Sequence, residues 1–232
     1  MRIHRFFTDI DLSKDTAFIE SKEQMRQLRT VLRLGKGDEL ILITKEEEEA
    51  RVRITGMSDR NIEVMVVSRT KPETESDTHV HLYCAITKRD AFEWVVQKAT
   101  EVGVNEITPL VSARVIKQSV KMDRLQMIAR EATEQCGRVR IPVIHEPINL
   151  VDALGGLSSD TMAFIFDASG EPLNTEHFPQ RSVSLFVGPE GGFEDRELEM
   201  ATEAGCSIAT LGPRILRTET AGVIASYLTT TE

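Results

Sequence analysis

Apolar positions in the first 70 residues fall in short runs with a two-residue period. LILIT (Leu40–Thr44), ARVRIT (Ala50–Thr55) and NIEVMVV (Asn61–Val67) are β-rich, and the second and third alternate apolar with polar residues. Turn signals at GKGD (Gly35–Asp38) and TGMSD (Thr55–Asp59) separate them, and one short helix is predicted over Ser21–Leu32. Short strands joined by turns predict a small antiparallel barrel. Arg69–Thr78 is polar, with one proline and no core pattern. The expected division is therefore a domain over residues 1–70, a linker over 71–78 and a second domain over 79–232.

After the linker the period lengthens. HVHLYCAI (His79–Ile86) is a buried-type strand, and Phe92, Val95, Val96, Ala99 and Val102 then mark an amphipathic helix that stops at Gly103. EITPLV (Glu106–Val111) is the next strand, and Leu125, Ile128, Ala129, Ala132 and Cys136 repeat the helical spacing. MAFIFDA (Met162–Ala168), SVSLFVG (Ser182–Gly188) and CSIATLG (Cys206–Gly212) are apolar runs ending in turns, as strands buried on both faces require. Helices are expected over Arg196–Ala204 and Thr218–Leu228. Strand alternating with helix predicts an α/β domain with a mostly parallel sheet.

With 41% hydrophobic and 28% charged residues in a chain of 232, a core can form and intrinsic disorder is excluded. No apolar run reaches membrane-spanning length, and the first fifteen residues hold no stretch of secretory-signal type. Cys84, Cys136 and Cys206 are odd in number and far apart, which argues against disulfides and against a cysteine zinc site. A cytoplasmic protein with no membrane association is expected.

The net charge of -9 is unevenly spread: residues 151–232 hold 4 basic and 13 acidic side chains, while the rest of the chain is balanced. Lys22, Arg26, Arg29, Arg33 and Lys36 recur at near-helical spacing. Arg114, Lys117, Lys121, Arg124, Arg130, Arg138 and Arg140 form a second basic run against three acidic residues. Phosphate neutralisation needs local positive charge, not a basic average. Solvated helix faces would look the same. Glu46–Glu49 reads as a solvated hairpin tip.

Two strand ends are unusual. FVGPEGGF (Phe186–Phe193) runs an apolar strand into three glycines and a proline, without the lysine of a phosphate loop or a GxGxxG pattern. In LGPRILRTETA (Leu211–Ala221), Arg214 and Arg217 flank the apolar pair Ile215–Leu216, and Thr218 is placed to cap a helix. An apolar pair between arginines suits an aromatic ring beside an anionic group. A tight turn and a pair of salt-bridged arginines are the structural alternatives, and the residues alone leave both open.

GPEGGF followed by LGPRILRTETA resembles the C-terminal signature of the RsmE family, the bacterial 16S rRNA uridine-N3 methyltransferases of the SPOUT class. Further segments resemble the family in order: RFF (Arg5–Phe7), VLRL with GD (Val31–Leu34, Gly37–Asp38), KATEVGV with ITPL (Lys98–Leu110), and EATEQCGRVRIP (Glu131–Pro142). The resemblance implies a PUA-like RNA-binding β-barrel, then a SPOUT domain with a deep trefoil knot, working as a homodimer. Periodicity reveals no knot. It further implies binding of S-adenosyl-L-methionine by the loops at Val187, Gly188, Gly191, Gly192, Leu211, Gly212, Ile215 and Leu216, with a third loop near Phe166–Ser169. The implied substrate is 16S rRNA or the small ribosomal subunit, at the family's uridine 1498.

No metal is implied, because a sulfonium is already an activated electrophile. As N3–H ionises, charge spreads onto O2 and O4, which makes Arg217 and then Arg214 candidates to stabilise the anion or grip a phosphate. Glu190 is the one carboxylate within Val187–Gly192 and Leu211–Leu216, a candidate base or anchor. Arg5, Arg26, Arg29 and Arg33 would contact phosphates, and Glu131, Gln135 and Arg138 would line the substrate side. Departures from the family stand at Gln27, in the glutamate run, and at Glu194, where a missing hydroxyl predicts a weaker helix start. A SPOUT enzyme with another rRNA or tRNA target, and a non-catalytic RNA-binding assembly factor, are the alternative readings.

Overall fold

The computed structural model describes residues 3–115, 119–174 and 182–230. Lys117 of the basic run lies outside them. The chain divides into two compact units: Met1–Glu75 with Glu134–Arg140, and Ser76–Thr133 with Ile141–Glu232.

In the first unit five strands form one sheet: β1 (His4–Phe7), β2 (Thr16–Ile19), β3 (Glu39–Ile43), β4 (Glu49–Met57) and β5 (Ile62–Thr70), in the order β1-β3-β4-β5-β2. The sheet is mixed, not wholly antiparallel as expected, because β1 runs parallel to β3. Alternation buries Leu40, Leu42, Val52, Ile54, Ile62 and Val64 on one face, where Met25 and Leu28 cover them. The expected Ser21–Leu32 helix is two pieces. Helix α1 (Lys22–Arg26) is capped by the Ser21 hydroxyl and passes into a wider turn over Gln27–Val31, closed by the Leu32 N–H on the Gln27 carbonyl at 3.0 Å. Arg33 then takes a left-handed φ of 56°. Arg26, Arg29 and Arg33 therefore do not share one continuous helix face.

The glutamate run does turn the β3–β4 hairpin, yet it is not wholly solvated. Glu47 pairs with Arg140 at 2.8 Å, and buried Glu49 accepts from Arg5 Nε at 3.1 Å.

The second unit is built on a parallel sheet. Its strands are β6 (His79–Ala85), β7 (Glu106–Val111), β8 (Val143–Ile144), β9 (Ile148–Asn149), β10 (Met162–Pro172), β11 (Ser182–Val187) and β12 (Ser207–Thr210). The order is β12-β10-β11-β6-β7-β8, with β9 also on β7, and every pair is parallel. Alternate residues serve opposite faces. Val80, Leu82, Val183, Leu185 and Phe164 pack under α2 (Arg89–Glu101), α3 (Met122–Cys136) and α6 (Thr218–Thr230), while Ile165, Phe186 and Leu110 pack under α4 (Leu150–Gly155) and α5 (Asp195–Glu203). Burial on both faces is why these strands read as continuous apolar runs. Among the described residues no helix is long and apolar enough to cross a membrane.

Candidate active site

In a parallel sheet, loops leaving the carboxyl ends of neighbouring strands gather at one edge. Phe166 of β10 is in register with Val187 of β11 on one side and Ala209 of β12 on the other, so the loops after β11 and β12 start beside Phe166; the expected third loop at Phe166–Ser169 is instead an irregular stretch within β10, whose pairing with β12 shifts register between Phe166 and Glu171. One bond fastens two of them: Thr218 Oγ1, buried at the start of α6, donates to the Gly188 carbonyl at 2.9 Å.

The turn after β11 favours glycine. A Cβ on Gly188 would come 3.0 Å from the ring of buried Phe193. Gly192 sits at φ +69°, where an L side chain is strained, and its N–H closes the turn on the Pro189 carbonyl at 2.8 Å. From outside, Arg114 Nη1 donates to the Gly191 carbonyl at 2.6 Å. The buried Glu197 carboxylate accepts from the backbone N–H of Ala113 and of Glu194, both at 2.8 Å. The α5 start is therefore held despite the missing hydroxyl at Glu194: the carboxylate three residues on still reaches back, and a second strap joins it to the β7 loop.

The predicted residues separate by what they offer. Val187 puts its side chain in the core, leaving only its backbone at the loop. Gly191, Gly192 and Gly212 present bare backbone, Leu211 and Leu216 are half-buried, and Ile215 is 97% exposed, an apolar side chain left in water. Arg214, Glu190 and Arg217 are exposed, and Arg217 makes only a loose 3.9 Å approach to Glu219. The irregular stretch of β10 supplies a carboxylate next to the Gly192 turn: Asp167 accepts from the Ser169 N–H at 2.9 Å through Oδ1, and its Oδ2 stands 3.9 Å from where a Gly192 Cβ would be. Cys84 lies under the site against Gly222, but burial pushes its thiol up to about 12, with Glu219 and Glu190 adding to the effect, so it offers no thiolate nucleophile.

The RNA candidates fare unevenly. Arg26 and Arg33 are exposed, Arg29 is held by the Ser58 carbonyl, and Glu131 and Gln135 are exposed one turn apart on α3. Arg5 is engaged by Glu49. Arg138 needs correction: its guanidinium is buried, not turned to a substrate, and Nη2 donates to Glu75 Oε2 at 2.6 Å. A cavity of about 460 Å³ in the first unit is lined by Asp9, Asp11, Glu46, Glu48 and Glu49 against Lys45 and Arg69, an acidic balance unsuited to phosphate.

Arg114, Glu197 and Asp167 take part in the site although the sequence assigned none of them a role there, Asp167 falling only within the expected third loop. The signals were present in the basic run, the offset of three from Glu194, and the end of the MAFIFDA strand.

The model of the RNA methyltransferase domain family matches residues 74–229. The ribosomal RNA small subunit methyltransferase E of Mesomycoplasma hyopneumoniae is 32% identical over 95% of this chain and 96% of its own. The protein of that name from Bacillus subtilis is 28% identical over 96% and 94%. Among solved structures, ribosomal RNA small subunit methyltransferase E from Neisseria gonorrhoeae, bound to S-adenosylmethionine, matches with a TM-score of 0.88 at 30% identity, covering 97% of this chain and 95% of that one.

Proposed function

Since the chain belongs to the ribosomal RNA small subunit methyltransferase E family, we propose that it methylates N3 of a uridine in 16S rRNA, at the family's position 1498, using S-adenosylmethionine. The observation that carries this reading is the Thr218–Gly188 bond, which joins the two signature loops into one surface.

That surface suits the cofactor. Bare backbone at Gly191, Gly192 and Gly212 offers amides and carbonyls to a purine edge or an amino acid end, and Leu211, Ile215 and Leu216 offer apolar contact to a ring. Asp167 and Glu190 supply carboxylates for hydroxyl or ammonium groups. When bound, S-adenosylmethionine supplies a methyl group already activated by the sulfonium. The protein then has to place the base and stabilise it as its imide proton leaves. Arg217, with Arg214 second, provides a guanidinium to the charge developing on O2 and O4. Arg114 and Glu197 hold the loops in place from behind and touch no reactant in this scheme.

The first unit is read as a PUA-like RNA-binding barrel and the second as a SPOUT domain whose C-terminal segment threads a trefoil knot, with a homodimer as the working form. The return of α6 from edge strand β12 to cover β6 and β11, near the middle of the sheet, supports the knotted reading. Arg26, Arg29 and Arg33 provide the phosphate contacts.

Methyl transfer to small subunits from a strain lacking the modification, followed by mapping of the modified nucleotide, tests the target. Methylation of N3 at the family position supports it; a ribose methyl or another base overturns it. Replacing Arg26, Arg29 and Arg33 together by alanine is expected to weaken RNA binding and to flatten its salt dependence by a slope of about 2 to 3. An unchanged slope removes these arginines from the interface.

A further inference from the structure

Four residues at the amino end of the parallel sheet take no part in methyl transfer as described. His79 and His81 share a face of β6, Glu106 opens β7 opposite His81, and His145 follows β8. His145 Nε2 lies 2.5 Å from Glu106 Oε2, His81 Nδ1 lies 3.8 Å from the same oxygen, and His79 Nε2 lies 3.3 Å from Oε1. One donor atom each from His81, Glu106 and His145 falls within 4.8 Å of the other two. Zinc bond lengths near 2.0–2.2 Å put tetrahedral donors roughly 3.4 Å apart. Rotation of the Glu106 and His145 side chains, 27% and 40% exposed, about the more buried His81 would bring these three to ligand geometry.

The surroundings are those of a ligand set. His81 Nε2 is 2.7 Å from the hydroxyl of buried Thr108, a bond that orients the ring and leaves Nδ1 on the Glu106 side. The His81 ring stacks on Tyr83 at 3.9 Å, and Tyr83 stacks on Phe186 at 4.5 Å.

We propose that His81 Nδ1, Glu106 and His145 Nε2 bind one divalent transition metal of the zinc class, leaving a position for water. Two imidazoles and a carboxylate select such an ion over magnesium. The site is separate from methyl transfer. Ser184, the register partner of His81, is four residues before Gly188, about 13 Å along a parallel strand. Its effect is structural: β8 has only two residues, and the metal would clamp its end to β6 and β7. This inference is independent of the proposed function.

The test uses the full-length, untagged protein, stripped with chelator and titrated with Zn²⁺, Co²⁺ and Mg²⁺. One equivalent of Zn²⁺ per chain, tetrahedral ligand-field bands with Co²⁺, a Tm raised by Zn²⁺ and lowered again by chelator, and no response to Mg²⁺ are expected. His145→Ala removes a partly exposed ring and should weaken Zn²⁺ binding at least about tenfold, and Thr108→Val should weaken it about 10- to 100-fold. Absence of saturable binding, or unchanged affinity in His145→Ala, overturns the proposal. The cluster is then a hydrogen-bonded histidine–glutamate network, or the metal sits elsewhere, for example at exposed Cys136.

Discussion

Arg217→Ala should lower the rate of methyl transfer about 100- to 1000-fold and leave affinity for S-adenosylmethionine unchanged. The side chain is 83% exposed and makes only a loose 3.9 Å approach to Glu219, so its removal leaves no cavity. Any loss then reports on chemistry and not on folding. Single-turnover transfer to undermethylated small subunits gives the rate, and calorimetry gives the cofactor affinity. A raised KM with kcat intact would instead assign Arg217 to gripping a phosphate and move the catalytic role to Arg214.

Glu75→Ala should destabilise the protein by about 3–5 kcal/mol. Three groups lose an acceptor at once: the Arg138 guanidinium, whose side chain is 4% exposed, and the backbone N–H groups of Val139 and Arg140 at 3.0 and 3.2 Å. Desolvation of a guanidinium without this carboxylate dominates the cost, as it does not for exposed pairs such as Arg51–Glu39. Urea unfolding measures the difference. Glu75→Gln, which keeps an acceptor but no charge, should recover part of it. A loss below about 1 kcal/mol would place the pair among surface ion pairs.

What could be read before the structure follows from how local each feature is. Helix α2 and strands β6, β7 and β11 were legible because burial on one face or two leaves its period in the sequence. The two glycine-bearing loops were legible because backbone constraints select few residue types. Strand β1 was marked only as the RFF segment, because a parallel partner some 35 residues away leaves no hairpin signal. Helix α4 went unread because six residues are too few for a period, although Asn149 caps it through the Asp152 N–H at 2.9 Å. Burial of Arg138 was hidden for a different reason. Its partner stands in a polar stretch expected to be a linker, and a carboxylate that anchors there looks the same as one in water. The histidine cluster draws on three strands, and no spacing within the chain announces it.

The first unit is discontinuous: Glu134–Arg140 belongs to it although the chain around that segment belongs to the other. No single cut yields either unit whole. A fragment beginning at Ser76 would carry seven residues whose packing partners had been deleted, Arg138 among them, and one ending at Glu75 would keep the carboxylate but not the guanidinium. Domain-swap and truncation work on this chain therefore has to splice at three junctions, and recombination in nature would meet the same obstacle.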